Sequence, residues 1–288
     1  LSVAKVLDRE TQAFYELHVQ ATDQAPKPED RLSTTAVVTI ILRDTNDNAP
    51  RFESSNQITV PEDTEPGLPV ATIVARDQDE GDNSALEYTL VSGPQGLFTL
   101  GPLDGVLQLH DDIDREDVDQ YSLVVKATDK GSTPKSTTME LTILVGDVND
   151  NDPIFESKTY STNANENTKV GTSLLTVGAT DADSGLNAEI RYMIEETEDS
   201  WDFAVDSHTG EVSIYKTLDY ETRQQYEITI LAQDLGRPSR TDTATILINV
   251  NDVNDCPPVF VDSPYKAFVQ ENSVDLPVHV LQLTAKDD

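Results

Sequence analysis

Short strings of carboxylates and amides are the residues in this chain whose types and spacing could do chemistry. Asp147-Val148-Asn149-Asp150-Asn151 presents several oxygen side chains that can turn to different sides, together with backbone carbonyls. Asp114 with Glu116, the pair Asp181 and Asp183, and Asp234 supply more carboxylates. Such a set suits a hard cation. Calcium takes about six to eight oxygen ligands and mixes carboxylates, amide oxygens and carbonyls. Magnesium keeps more of its water and demands octahedral geometry, so this many carboxylates favours calcium. Zinc is disfavoured, because the chain has four His with no metal spacing and a single Cys, Cys256.

Two rival readings need separating from this one. A lone Asp-x-Asp is usually a solvated loop. A hydrolytic acid–base pair would need two unlike carboxyls in one cleft with opposed pKa values. Recurrence decides. Asn46-Asp47-Asn48-Ala49-Pro50 returns as Asn149-Asp150-Asn151-Asp152-Pro153 and as Asn254-Asp255-Cys256-Pro257-Pro258, after 103 and then 105 residues. Asp8-Arg9-Glu10 returns as Asp114-Arg115-Glu116 and Asp219-Tyr220-Glu221, after 106 and 105. Asp77-Gln78-Asp79 returns as Asp181-Ala182-Asp183 after 104. Ala21-Thr22-Asp23 returns as Ala127-Thr128-Asp129 and Ala232-Gln233-Asp234. Four markers with one period describe a tandem array. A catalytic pair would not be copied in every repeat, so no enzyme is expected.

The register divides the chain into 1–48, the C-terminal half of one repeat, the complete repeats 49–151 and 152–256, and 257–288, the start of a fourth. Both ends read as cuts in mid-domain. Inside each repeat the elements that must hold the acidic strings are strands. Tyr121, Leu123, Val125 and Ala127 alternate with outward positions, as do Tyr226, Ile228, Ile230 and Ala232. The last strand of each repeat does the same through Ala36, Val38, Ile40 and Leu42, then Met139, Leu141, Ile143 and Val145, then Ala244, Ile246, Ile248 and Val250. Turns at Asp104-Gly105 and Thr209-Gly210 punctuate the runs. The expected fold is all-β, a row of Greek-key sandwiches of roughly seven strands.

Composition sharpens the exclusions. Asp and Glu number 53 against 20 Lys and Arg, a formal net charge of −33. Nucleic-acid binding needs the opposite sign, as does a polybasic membrane contact. No apolar run is long enough to span a bilayer, so membrane attachment is expected only through a span outside this stretch. A charge this large opposes compaction by self-repulsion unless cations offset it.

These motifs resemble the extracellular repeats of cadherins, and look most like long-array members of the Fat, Dachsous and Flamingo types or protocadherins. Pro61-Glu62, Asn165-Glu166-Asn167, the Asp-Arg-Glu triplets, the Asp-x-Asn-Asp-Asn-x-Pro joints, the Asp-x-Asp pairs and the Ala-x-Asp pieces carry the resemblance along the whole chain. It implies Ca²⁺, about three ions per complete joint. At the middle joint it implies Glu62, Asp114, Glu116, Asp147, Asn149, Asp150, Asp181, Asp183 and Asp234, with the carbonyls of Val148, Asn151 and Asn187. At the first joint it implies Asp8, Glu10, Asp44, Asn46, Asp47, Asp77, Asp79 and Asp129, with the carbonyls of Thr45, Asn48 and Asn83. At the third it implies Glu166, Asp219, Glu221, Asp252, Asn254, Asp255 and Asp287, with the carbonyls of Val253 and Cys256. Asp23 and Glu271 match ligands of joints outside the chain. Two residues depart from the pattern. Tyr220 replaces Arg at a position that is not a ligand, and Cys256 replaces Asn at one that ligates through its carbonyl.

The implied function is calcium-dependent adhesion or recognition outside the plasma membrane, with another cadherin ectodomain on a neighbouring cell as partner, by homophilic or heterophilic contact, and planar polarity signalling. The alternative is a spacer or tension-bearing link. Cys256 reads as an inert side chain beside a joint rather than a reactive thiol or an intermolecular bridge, and Trp201 as core or rim packing, at the sandwich edge, rather than a partner contact, with Phe203 and Val205 in the core.

Overall fold

The structure, a computed structural model, describes residues 1–94, 96–261, 264–269, 271, 277 and 279–286. The chain divides into two compact units, Leu1–Val148 and Asn149–Asp288.

In the first unit an antiparallel hairpin of Phe14–Thr22 and Ser33–Ile41 precedes a complete sandwich. One sheet of the sandwich has four strands. Gln57–Pro61 runs parallel to Ser136–Gly146, which pairs antiparallel with Gln120–Asp129, which pairs antiparallel with Leu86–Ser92. The other sheet places Val106–Leu109 between Pro69–Thr72 and Phe98–Leu100. Arg51–Phe52 and Ala75–Arg76 form a short pair at one edge.

The second unit repeats this plan. Thr159–Asn165 runs parallel to Thr241–Asn251, followed by Gln225–Gln233 and Arg191–Ile194. The facing sheet places Glu211–Ile214 between Ser173–Thr176 and Phe203–Val205. Val259–Phe260 and Ala285–Lys286 make a last short pair.

Period-2 alternation explains why these segments are strands, since each buries one face only. Leu123, Val125 and Ala127 on one strand and Leu141, Ile143 and Val145 on its neighbour are buried, and they pack with Leu107, Leu109, Ile73 and Phe98. Ile228, Ile230, Ile246 and Ile248 do the same against Val212, Ile214, Val177 and Phe203. Edge-to-face aromatic pairs recur at equivalent places, Phe98 on Tyr121 at 5.7 Å and Phe203 on Tyr226 at 5.1 Å. Buried tyrosines also repeat a role, with the hydroxyls of Tyr88 and Tyr192 accepting the N–H of Ala75 (2.8 Å) and Ala179 (2.9 Å).

The long strands Gln120–Asp129 and Gln225–Gln233 end at, or one residue before, Asp129 and Asp234. The strands Gln57–Pro61 and Thr159–Asn165 stop immediately before Glu62 and Glu166. The acidic strings therefore leave the sheets at sandwich ends, where no ladder occupies their oxygens.

Trp201 lies outside the core. Trp201 is 60% exposed. It sits on the 3₁₀ turn Asp199–Asp202, before the strand Phe203–Val205, so the alternation that buries Phe203 does not extend to it. Val205 is half-buried.

Candidate metal centres

Among the described residues the buried polar and charged side chains are Glu62, Asp77, Asp79, Asp129, Asn149, Glu166, Asp183, Ser200 and Asp234. All but Ser200 belong to the acidic strings. Ionised carboxylates are almost never buried unless paired or metal-bound, so a solvated acidic face does not describe them.

Each carboxylate has a structural task that recurs one period later. Glu62 ends the first strand of its sandwich and accepts the N–H of Val148 (2.7 Å) and of Arg115 (2.8 Å), which ties the Asp-Arg-Glu triplet to the chain exit. Glu166 likewise accepts the N–H of Val253 (2.6 Å) and of Tyr220 (2.8 Å). Asp129 accepts the N–H of Gly131 and of Lys135 and the amide of Asn46, each at 2.9 Å. Asp234 accepts the N–H of Gly236 and Arg240 at 2.9 Å and the amide of Asn149 at 3.1 Å. Asp79 receives both the backbone and side-chain N–H of Asn48, and Asp183 receives both from Asn151. Asp77 and Asp181 cap this loop by accepting the N–H of Asp79 and Asp183 at 3.0 Å.

The first joint lies wholly within the first unit, and there the strings meet. Carboxylate oxygens of Glu10, Asp47 and Asp79 lie within 4.8 Å of one another. Asp44 accepts from the Asn83 side chain (2.8 Å) and the Glu80 N–H (3.0 Å), so Asn83 makes a side-chain contact where the sequence expectation used its carbonyl. Burial works against the Asp44 charge, but these donors and Arg9 hold its carboxyl below the ordinary carboxylate range. Elsewhere in this unit Glu62, Glu116 and Asp147 cluster in the same way. Burial first, and then the Glu62 charge, push Glu116 up to about 7. Asp8 and Asp114 brace their own triplets, Asp8 through Thr11 and Asp114 through the N–H of Glu116.

In the second unit Glu166, Glu221 and Asp252 form one cluster, and Glu221, Asp255 and the Cys256 thiol form another. The Cys256 thiol is thus within 4.8 Å of these carboxylate oxygens. Asp219 braces its triplet through Thr222. Asp150 accepts the Asn151 amide at 2.7 Å. Asn187 turns its N–H to the Ser184 carbonyl. Asp23 accepts the Ala25 N–H, and Asp23 and Glu271 are exposed and fall in none of these carboxylate clusters, while Asn254 is exposed. Asp287 lies outside the described residues.

Whether these residues fit a cation is tested by what their oxygens lack. Asn46 gives its amide N–H₂ to Asp129 and to the Thr133 carbonyl (3.0 Å), and Asn149 gives its own to Asp234 and the Pro238 carbonyl (2.6 Å). That leaves the Oδ1 of each buried with no hydrogen-bond donor, and the Oδ2 of Asp77 and Asp181 is in the same condition. A buried acceptor without a donor is costly. Here the same two positions are left so in two successive repeats, which suits a cation. Burial first, then the charges of Asp183 and Asp234, push the Asp181 carboxyl up, as expected of an anion that wants a counter-charge.

Tethered cations already touch other oxygens of the acidic strings. The Arg9 guanidinium lies 2.6 Å from Glu10, from Asp44 and from Glu80, and Arg115 pairs with Glu116 and Asp147. Tyr220 stands at the equivalent place in the second unit and packs against the hydrophobic core instead.

The sequence reading missed the residues that hold Asn46 and Asn149. A Cβ at Gly131 would lie 2.3 Å from the Asn46 amide nitrogen, and one at Gly236 would lie 2.3 Å from that of Asn149. Lys135 donates to the Asp47 carbonyl (2.6 Å) and Arg240 to the Asn149 carbonyl (2.9 Å). Both pairs keep the 105-residue spacing, and that was the signal available. Gly236→Ala should therefore expel the Asn149 side chain. Isothermal titration should show calcium binding weakened by about tenfold.

Two tandem β-sandwiches with acidic strings at their ends define a class of tandem-repeat protein. The cadherin domain model matches residues 56–146 and 160–251, and the chain belongs to the cadherin family. It is 44% identical to human protocadherin Fat 4 over 292 aligned residues, covering 100% of this chain and 6% of that protein. It is 37% identical to the Drosophila melanogaster protocadherin-like wing polarity protein stan, covering 100% of this chain and 8% of that one. Among solved structures, the extracellular cadherin domains 3-6 of protocadherin gamma B2 superpose with a TM-score of 0.75 at 28% identity, covering 86% of this chain and 61% of that one. These are cadherin repeats of the Fat, Flamingo and protocadherin kind. The chain spans only a small part of the curated relatives it matches. No helix among the described residues is long and apolar enough to cross a membrane.

Proposed function

We propose that these repeats form part of an extracellular adhesion ectodomain in which calcium, about three ions per complete joint, fixes the angle between successive repeats. The observation that carries it is the pair of donorless buried oxygens, Asn46 Oδ1 with Asp77 Oδ2 and Asn149 Oδ1 with Asp181 Oδ2. The proposed ligands are the three sets that the sequence arranges by joint, and the proposed repeats are 1–48, 49–151, 152–256 and 257–288. When bound, calcium supplies positive charge and bridging coordination. The protein's own residues do the rest. Glu62 and Glu166 hold the triplets against the exit strand, Asp129 and Asp234 orient the amides, and Asp79 and Asp183 hold the loop that carries Asn48 and Asn151.

Carboxylates shared between neighbouring repeats repel one another without a counter-ion, and the joint bends. With the ions, ligands from both sides share one centre, and bending must break coordination. Extracellular calcium modules bind at about 10⁻⁴–10⁻³ M. Small-angle scattering should show a larger maximum dimension and a narrower distance distribution in calcium than in chelator. Identical profiles would sink the proposal. The partner we infer is another cadherin ectodomain on a neighbouring cell, and names such as wing polarity protein support a place in planar polarity signalling. Bead aggregation by a full ectodomain with these repeats replaced by others of equal length separates adhesion from a spacer role.

A further inference from the structure

The acidic strings account for what the repeats share. Trp201 is what they do not share. It is the one tryptophan of the chain, and it is 60% exposed beside Tyr215, which is 63% exposed. The two line an open hollow of about 390 Å³ together with Ile194, Glu196, Ser200 and Lys216. One period earlier the equivalent residues of the first unit are Gly96, His110 and Asp111 in place of Trp201, Tyr215 and Lys216. Equivalence follows from the strand register, which pairs Phe98 with Leu109 and Phe203 with Ile214. The fold therefore does not need an aromatic pair here.

The pair is nevertheless held in place. Tyr215 and Lys216 donate their N–H groups to the Asp202 carbonyl at 2.7 and 3.2 Å. The Ser200 hydroxyl accepts the Thr197 N–H at 3.0 Å, and Arg223 pairs with Asp199. The turn that presents Trp201 is braced from both sides, so little ordering remains for binding to supply.

Charge says what the pair would take. Glu196 lines the hollow, and Glu195 and Glu198 are exposed on the same short segment. The Trp201 ring already faces a cation from its own chain, with Lys216 Nζ 6.0 Å from the ring centroid and 3.4 Å from Asp202. An aromatic face that shares its hollow with Glu196, beside a segment of exposed carboxylates, favours a cation with an apolar, planar surface, which is a guanidinium rather than an ammonium. A second copy of a chain with a net charge of −33 is disfavoured as the source by self-repulsion.

We propose that Trp201 and Tyr215 form a docking platform for an arginine-bearing loop of a partner protein. None of its residues belongs to the acidic strings, so it stands or falls apart from the calcium reading.

A single tryptophan makes the test direct. The intact chain in saturating calcium is titrated with N-acetyl-Gly-Arg-Gly-amide while its tryptophan fluorescence is followed. The neutral isostere with citrulline in place of arginine is the control. The expected result is a saturable change with the arginine peptide and a response roughly fivefold weaker with citrulline. Tyr215→Ala and Glu196→Gln, both at exposed positions, should each weaken the arginine response about threefold or more with an unchanged circular dichroism spectrum. Equal, unsaturable responses to the two peptides would overturn the proposal. So would a fluorescence change that depends on chain concentration alone and disappears in Tyr215→Ala, because the platform would then serve a second copy.

Discussion

Calcium at tenfold above its dissociation constant should raise the melting temperature of this chain by about 10 °C. Each ion that binds only the ordered joint adds RT ln(1 + [L]/Kd), about 1.4 kcal/mol at that ratio, so a three-ion joint adds about 4 kcal/mol. For a unit of this size that corresponds to a shift of about 10 °C. The gain has a specific origin. Glu10, Asp47 and Asp79 already hold their oxygens within 4.8 Å, and Asn46 Oδ1 and Asp77 Oδ2 are buried without donors. Folding has met the cost of bringing those groups together, and the ion collects the interaction. Scanning calorimetry in calcium, in magnesium and in chelator checks this. A shift below about 2 °C, or an equal one in magnesium, would remove the calcium reading of the clusters.

Two substitutions in the second unit should move stability in opposite directions. Asp234→Ala removes the acceptor of three bonds, from Gly236, Arg240 and the Asn149 amide, at a side chain that is 1% exposed. Leaving those donors unmet should cost about 3–5 kcal/mol, and calcium should not rescue it. Asp181→Asn is different. Its Oδ1 keeps the Asp183 N–H, while Oδ2, the oxygen without a donor, becomes an amide that can donate to neighbouring carboxylates. Burial and the charges of Asp183 and Asp234 hold this carboxyl up, so neutralising it relieves strain when no calcium is present. Asp181→Asn should be at least as stable as the parent in chelator, yet bind calcium about tenfold more weakly. Urea melts in chelator paired with calcium titration distinguish the two. If both substitutions destabilised alike in chelator, Asp181 would be an ordinary structural carboxylate.

Trp201 shows where local pattern stops being informative. Alternation along 201–205 buries Phe203 correctly, but a 3₁₀ turn before the strand breaks the period and releases the indole to the surface. Cys256 shows another limit. The resemblance assigned it a carbonyl role, and only the fold puts its thiol beside Glu221 and Asp255. Gly131, Gly236, Lys135 and Arg240 obey the period as strictly as any ligand, yet a glycine or a lone cation carries no chemistry by itself. Their role is visible only once the Asn side chains are seen lying against them.

A net charge of −33 and four markers at one period settle, without coordinates, that the chain is a row of alike β-repeats with acidic joints. Period and alternation are local properties, and a tandem array copies them. What a single oxygen does is not local. Asp129 and Asp77 are both Asp in short acidic strings, but the first spends its oxygens on Gly131, Lys135 and Asn46 while the second keeps one buried and unspent. Strand ends separated by some 83 residues meet to make that difference, as Asn46 and Asp129 do. Only the tertiary structure can show which of these oxygens are already engaged in hydrogen bonds and which are buried and left open.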